Sequence, residues 1–307
     1  MNMSTKQILV LSAFIIISCN KSTDQIVVPV SEQISFGTTQ KVNMIGYQND
    51  IMEPFLSRDG AVLFFNNSNN PAVNTNIHYA LKINDSTFSY QGELKGINTG
   101  DLEGVPTLDN SNILYFVSTR DYTQTLSTIY TGVFSNDTVL NVQLLPNISR
   151  MQAGWVNFDV EVSVDGNFLY FVDGRYDQNG GPYEANFVIA EKINNNFQRM
   201  SDQSVLNKIN TSDLEYAACI SPDMLELYFT RIKAPISISS QPQIFVSTRK
   251  SINEPFNSPY KIDKITGFVE APTISPDGQT IYYHKRENDK FVLYMIRKEQ
   301  SNKKYGR

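Results

Sequence analysis

One short phrase occurs five times in this chain. Glu53-Pro54-Phe55-Leu56-Ser57-Arg58-Asp59-Gly60 leads into Val62-Leu63-Phe64-Phe65. Glu103 to Asp109 leads into Ile113-Leu114-Tyr115-Phe116, and Glu161-Val162-Ser163-Val164-Asp165-Gly166 into Phe168-Leu169-Tyr170-Phe171. Glu215 to Asp223 leads into Leu225 and Leu227-Tyr228-Phe229, and Glu270 to Gly278 into Ile281-Tyr282-Tyr283. A phrase that returns at a near-constant period points to a chain built of stacked supersecondary units.

The turn aspartates are Asp59, Asp109, Asp165, Asp223 and Asp277, with steps of 50, 56, 58 and 54 residues. That length suits a four-stranded propeller blade and exceeds a leucine-rich or ankyrin unit. Each unit reads as strand, Asp-Gly-type turn, strand, then two more strands around a polar turn such as Asn84-Asp85-Ser86. In the second strands apolar residues are consecutive rather than alternating, so both faces are expected to be covered. Blade sheets stacked in a ring produce that situation.

The expected fold is therefore all-β, a five-bladed propeller of four-stranded antiparallel blades. Residues 33 to 307 make five units of 55. After Asp277 there is room for two strands, so the fifth unit lacks its outer one. The stretch from Ile34 to Phe36 through Val42 to Ile45 is expected to supply it, closing the ring by joining the two ends of the chain. Six blades with one degenerate is the alternative, for which the chain is short.

Ser275-Pro276-Asp277-Gly278, Ser221-Pro222-Asp223, Ser57-Arg58-Asp59-Gly60 and Ser163-Val164-Asp165-Gly166, each followed by an apolar strand, resemble the WD40-like repeat of TolB-type β-propellers. The resemblance covers nearly all of 34–307. It implies the propeller fold and names no activity.

Lys6 precedes an apolar stretch, Ile8 to Ile17, too short to span a bilayer. Ile16-Ile17-Ser18-Cys19 resembles a bacterial lipobox. That resemblance implies a signal peptide over 1–18, lipidation of Cys19, a flexible tether over 19–33 and a propeller domain over 34–307, anchored to the bacterial outer membrane rather than spanning it. A plain secretory signal is the alternative. Cys219, in an innermost-strand position, reads as a buried structural thiol.

The formal net charge is -5, from 26 basic and 31 acidic residues. No basic stripe interleaves with aromatics, which argues against nucleic acid as a partner.

Each unit carries a glutamate near the start of its innermost strand: Glu53, Glu103, Glu161, Glu215 and Glu270. Asp101, Asp159 and Asp213 each precede one by two residues, so each pair is expected to point one way. Five equivalent positions would put up to eight carboxylates around one mouth of the central channel. No cofactor is called for, although such a cluster suits a hard cation such as Ca²⁺. The structural alternative is that the glutamates recur because the blade recurs, bonded to backbone amides or to Arg120, Arg175, Arg231 or Arg286 as staples between blades.

Five-bladed propellers also carry glycoside hydrolases, in which unequal acids at the channel mouth divide the acid and base roles; Asp159, Asp213 and Glu215 fit that description. Nucleophilic hydrolysis is unsupported: the two histidines, His78 and His284, stand near no Gly-X-Ser-X-Gly elbow. A different signal lies where the repeats disagree. Trp155 precedes the third innermost strand, and Tyr176 and Tyr183 flank a Gly-rich segment read as a loop; a Trp there caps the blade core, the favoured reading, or stacks on a sugar or peptide. Together these readings favour a monomeric, non-catalytic binding scaffold for an envelope protein, peptide or glycan, with a propeller glycosidase as the alternative.

Overall fold

In the computed structural model, residues 33–70 and 72–299 are described. The signal, Cys19 and most of the tether lie outside them. Five antiparallel sheets follow one another along the chain. Their innermost strands are Met52–Leu56, Glu103–Leu108, Val160–Val162, Leu214–Ile220 and Val269–Ile274. Second strands are Val62–Asn66, Ile113–Ser118, Phe168–Asp177, Glu226–Ile232 and Thr280–Glu287. Third and outer strands complete each blade, giving the five-bladed propeller of four-stranded sheets that the repeat implied.

The consecutive apolar residues of the second strands do face both ways. Phe64 and Leu114 meet between the first and second blades, Tyr115 and Leu169 between the second and third, and Tyr170 and Leu227 between the third and fourth. All are at most 3% exposed. Successive residues on a strand serve opposite neighbours, so one Leu-Tyr-Phe run packs two interfaces at once.

Closure departs from the expected single strand. Gln40–Lys41 pairs antiparallel with Met295 and Tyr294 as the outer strand of the fifth blade. The chain then crosses over, and Asn43–Ile45 lies parallel to Thr87–Ser89 on the outer strand of the first blade. Val42 and Met44, buried between exposed neighbours, pack with Phe88, Tyr282, Leu293 and Met295. The amino-terminal segment thus fastens both sides of the seam, covering two outer edges that would otherwise be unpaired.

The 1–2 turns share one construction. The Ser57, Ser163, Ser221 and Ser275 hydroxyls accept the N–H five residues on, from Val62, Phe168, Glu226 and Thr280. Each donates to the aspartate two residues on. In the second blade Asp109 stands where the serine should, and its Oδ1 accepts from both Ser111 and Ile113. Gly60, Gly166 and Gly278 take positive φ in these turns, and Met224 takes φ 59 in their place. These turns define one face of the ring. Connections between second and third strands define the other, the loop face.

Candidate functional site at the channel mouth

Counting back from the turn residues Ser57, Asp109, Ser163, Ser221 and Ser275, the five glutamates lie four, six, two, six and five positions upstream. They are not equivalent, which corrects the expected carboxylate ring. The register explains why. A bulge interrupts the innermost ladder between Met52 and Phe55, Gly104 and Thr107, Tyr216 and Cys219, and Glu270 and Thr273. Glu53, Val105, Ala217 and Ala271 hold that bulge at φ 46 to 53, and Asp159 occupies the same position of the third blade. An extra residue in a strand re-aims every side chain beyond it.

Three of the acids are bound by arginine. Arg120 reaches Glu103 (3.2 Å) and Arg231 reaches Glu215 (2.7 Å), each within its own blade rather than between blades as expected. Both also donate to carbonyls of the preceding connection, at Ile97 and Ile209. Glu161 points toward the turn face, where Arg58 (3.1 Å) and Thr107 (2.7 Å) hold it. Arg58 crosses the channel from the first blade to the third, donating also to Leu108 O (2.8 Å) and Val162 O. Arg175 and Arg286 instead form surface pairs with Glu184 and Asp289. Asp101 is exposed, and Asp213 accepts the Ala234 N–H (3.2 Å).

Glu53, Asp159 and Glu270 have no arginine partner among the described ion pairs, and they come together toward the loop face. His284 joins two of them. Its Nδ1 accepts the Glu53 backbone N–H (3.1 Å), and its Nε2 lies 3.1 Å from Glu270, which assigns the ring proton to Nε2. Tyr216 donates its hydroxyl to the other oxygen of Glu270. Asn69 donates to Glu53 (2.6 Å), and Asp159 accepts the Ala217 N–H (3.2 Å).

Burial, with Glu53 and Glu270 nearby, pushes the Asp159 carboxyl well above the usual range. Burial also raises Glu53; His284 opposes the rise and Glu270 adds to it. For His284, burial disfavours the charged ring, yet the hydrogen bond to Glu270 and the Glu53 carboxyl outweigh it and raise its proton affinity.

Little space accompanies these groups. Toward the turn face a channel cavity of about 220 Å³ lies among Leu56, Arg58, Asn110, Val164, Pro222 and Ile274, but the one beside these groups, walled by Pro54, Pro106, Val160, Ala218 and Pro272, holds about 30 Å³. That admits one or two waters and no sugar ring. Among the described residues no group of three or more His, Cys, Asp or Glu side chains is arranged to hold a metal ion.

The aromatic signal stands beside this cluster. The expected loop from Tyr176 to Tyr183 is a hairpin: Phe168–Asp177 and Gly180–Ile193 run as strands to a two-residue turn, Gln178-Asn179. Trp155 lies on a short edge strand paired with Arg175, under the Arg150 guanidinium at 3.8 Å. Tyr176 packs edge-on against Phe158, which in turn meets Tyr216, so an aromatic row links the hairpin to Glu270. Tyr183 is 45% exposed and donates to Asp177 (3.1 Å). Sequence reasoning did not place His284, Tyr216, Phe158, Asn69 or Arg58 in this arrangement. Arg58 carried a signal, since it stands where the full turn motif has proline.

No protein-family model matches the sequence, and no curated protein matches it. Among solved structures the chain is similar to a glycoside hydrolase over 87% of its length and 93% of that chain, with TM-score 0.60 and 10% identity. Its similarity to a thermostable family-43 glycoside hydrolase covers 85% and 91%, with TM-score 0.56 and 14% identity. TolB from Acinetobacter baumannii is similar over 82% of this chain, with TM-score 0.45 and 16% identity. The chain spans about half of that protein, 55% of its length. At these identities the likeness is one of fold.

Proposed function

We propose that this chain is a non-catalytic binding module of the bacterial envelope, tethered through a lipidated Cys19, that presents the loop face of its propeller to a protein or peptide. The observation that carries this reading is where large apolar side chains are left exposed. Val73, Ile236 and Ile238 stand on connections between second and third strands and Tyr183 beside the tip of the third blade's hairpin, and Ile238 is fully exposed, while Ile45, Leu81, Ile83, Val133, Leu140 and Ile193 are exposed singly along strands. Apolar side chains exposed on the loop connections favour macromolecular contact there. The small cavity at the loop end of the channel supports a surface mode of binding over insertion from that face.

A photo-crosslinking residue at Ile238 in native cells, compared with one at Leu140 on an outer strand, tests the reading. One discrete adduct from position 238 and none from 140 is expected. Equal labelling at both, or none at either, overturns it.

One observation favours a second reading, that of a propeller glycosidase. Glu53, Asp159 and Glu270 lack arginine partners among the described residues, and a carboxyl with raised proton affinity beside another carboxylate suits acid–base work. Hydrolysis of aryl glycosides by the wild type, abolished by Asp159→Asn, would establish it; absence of hydrolysis across a panel would remove it.

A further inference from the structure

A cavity of about 280 Å³ opens between the third and fourth blades on the turn face. Its walls include Phe168, Ile189, Met200, Val205 and Met224. Arg249 lines it as well and is only 7% exposed. Its Nε donates to Met224 O (2.8 Å), one Nη to Ile252 O (2.9 Å), and the other weakly to the Tyr170 hydroxyl (3.4 Å). None of the described ion pairs includes it. A guanidinium with five N–H groups thus stands buried on two carbonyls, a phenol and the face of Phe256 (4.4 Å), with no carboxylate bonded to it among the described residues. A buried guanidinium without a bonded counter-ion is costly, and an entering anion would relieve part of the cost.

The surroundings restrict the anion. Apolar walls suit a hydrocarbon or aryl chain. Glu191 and Asp202 at the rim disfavour a multiply charged ligand such as phosphate. Met224 adds an independent sign, because it takes φ 59 where three other turns place glycine. Strain of this kind persists where surrounding contacts hold it, and here the strained residue faces the cavity and its carbonyl holds Arg249.

We propose that this cavity binds a small apolar monocarboxylate, its carboxylate on Arg249 and Tyr170 and its chain against Phe168, Ile189, Met200 and Val205. The proposal is independent of what the loop face binds. Calorimetric titration with octanoate and benzoate, against octan-1-ol as the uncharged control, tests it. Saturable binding of at least one acid at a single site is expected, roughly tenfold or more tighter than the alcohol. Met200→Trp fills the cavity and leaves Arg249 in place; it should weaken binding at least about tenfold. Arg249→Gln should do likewise if its melting curve shows it folded. No saturable binding by either acid, equal binding of acid and alcohol, or unchanged affinity in Met200→Trp would each overturn the proposal.

Discussion

Glu53 in the first blade donates its backbone N–H to Nδ1 of His284 in the last, 3.1 Å away across 231 residues of chain. The same ring holds Glu270 of its own blade through Nε2. One imidazole therefore joins both sides of the seam where the ring closes, beneath the amino-terminal strands that fasten it outside. His284→Ala removes both bonds and leaves a buried donor and a largely buried carboxylate without them. A loss of about 2–4 kcal/mol is expected, since each unsatisfied buried group costs about 1–3 kcal/mol. Urea denaturation measures it, and a midpoint equal to that of the wild type would show that the seam does not depend on this ring.

Asp159 supplies a pH prediction. Burial and the neighbouring Glu53 and Glu270 carboxyls raise its proton affinity, and Glu53 shifts the same way. A carboxyl raised in the folded chain keeps a proton where the unfolded chain, at about pH 4, has released it. Folding then takes up protons, so stability present at low pH declines as pH rises toward the raised values. Asp159→Asn should flatten the decline of the unfolding midpoint between about pH 5 and 8 and raise the midpoint at the alkaline end. A variant whose profile parallels the wild type would show that Asp159 titrates normally.

The fold was legible because its signal is redundant. Leu63-Phe64-Phe65 and its four counterparts each announce a strand covered on both faces, and five copies leave little freedom in the architecture. The site was less legible because it depends on register. Glu53, Glu103, Glu161, Glu215 and Glu270 share a residue type and an approximate place, but bulges before the turns send them to different ends of the channel. Aligning the units on the turn serines would have put Glu53 beside Asp159; nothing in the sequence marks the bulge itself, which is a property of backbone pairing. Tyr176 to Tyr183 misled for a local reason. Gly180, Gly181 and Pro182 carry loop chemistry, yet Gln178-Asn179 alone makes the turn, and Asp177 pairs with Gly180 in the ladder.

The proposed anchor has a direct test. Cys19→Ala removes the thiol that a diacylglycerol group would occupy. The variant should shift from the membrane pellet to the soluble fraction on cell fractionation, with its melting temperature unchanged, because the propeller is held by its own core. Retention in the membrane fraction would show that another contact holds the protein there.

Arg58 and Glu161 form the one described ion pair that spans the channel, with side chains only 8% and 4% exposed. Burial raises the Glu161 carboxyl, while Arg58 and the Thr107 hydroxyl oppose the rise without cancelling it. Arg58→Met should therefore cost about 3–5 kcal/mol, the usual consequence of leaving a buried charge without its partner. Glu161→Gln should cost less, because the amide still accepts from Thr107 and leaves Arg58 its two carbonyls. In the combined variant an uncharged thioether side chain would face a neutral amide, so the double loss should fall short of the two single losses by about 1–3 kcal/mol. Unfolding midpoints of the four proteins complete the cycle. Strict additivity would mean that Arg58 acts through Leu108 and Val162 alone, and that the pair across the channel contributes nothing to holding the first and third blades in place.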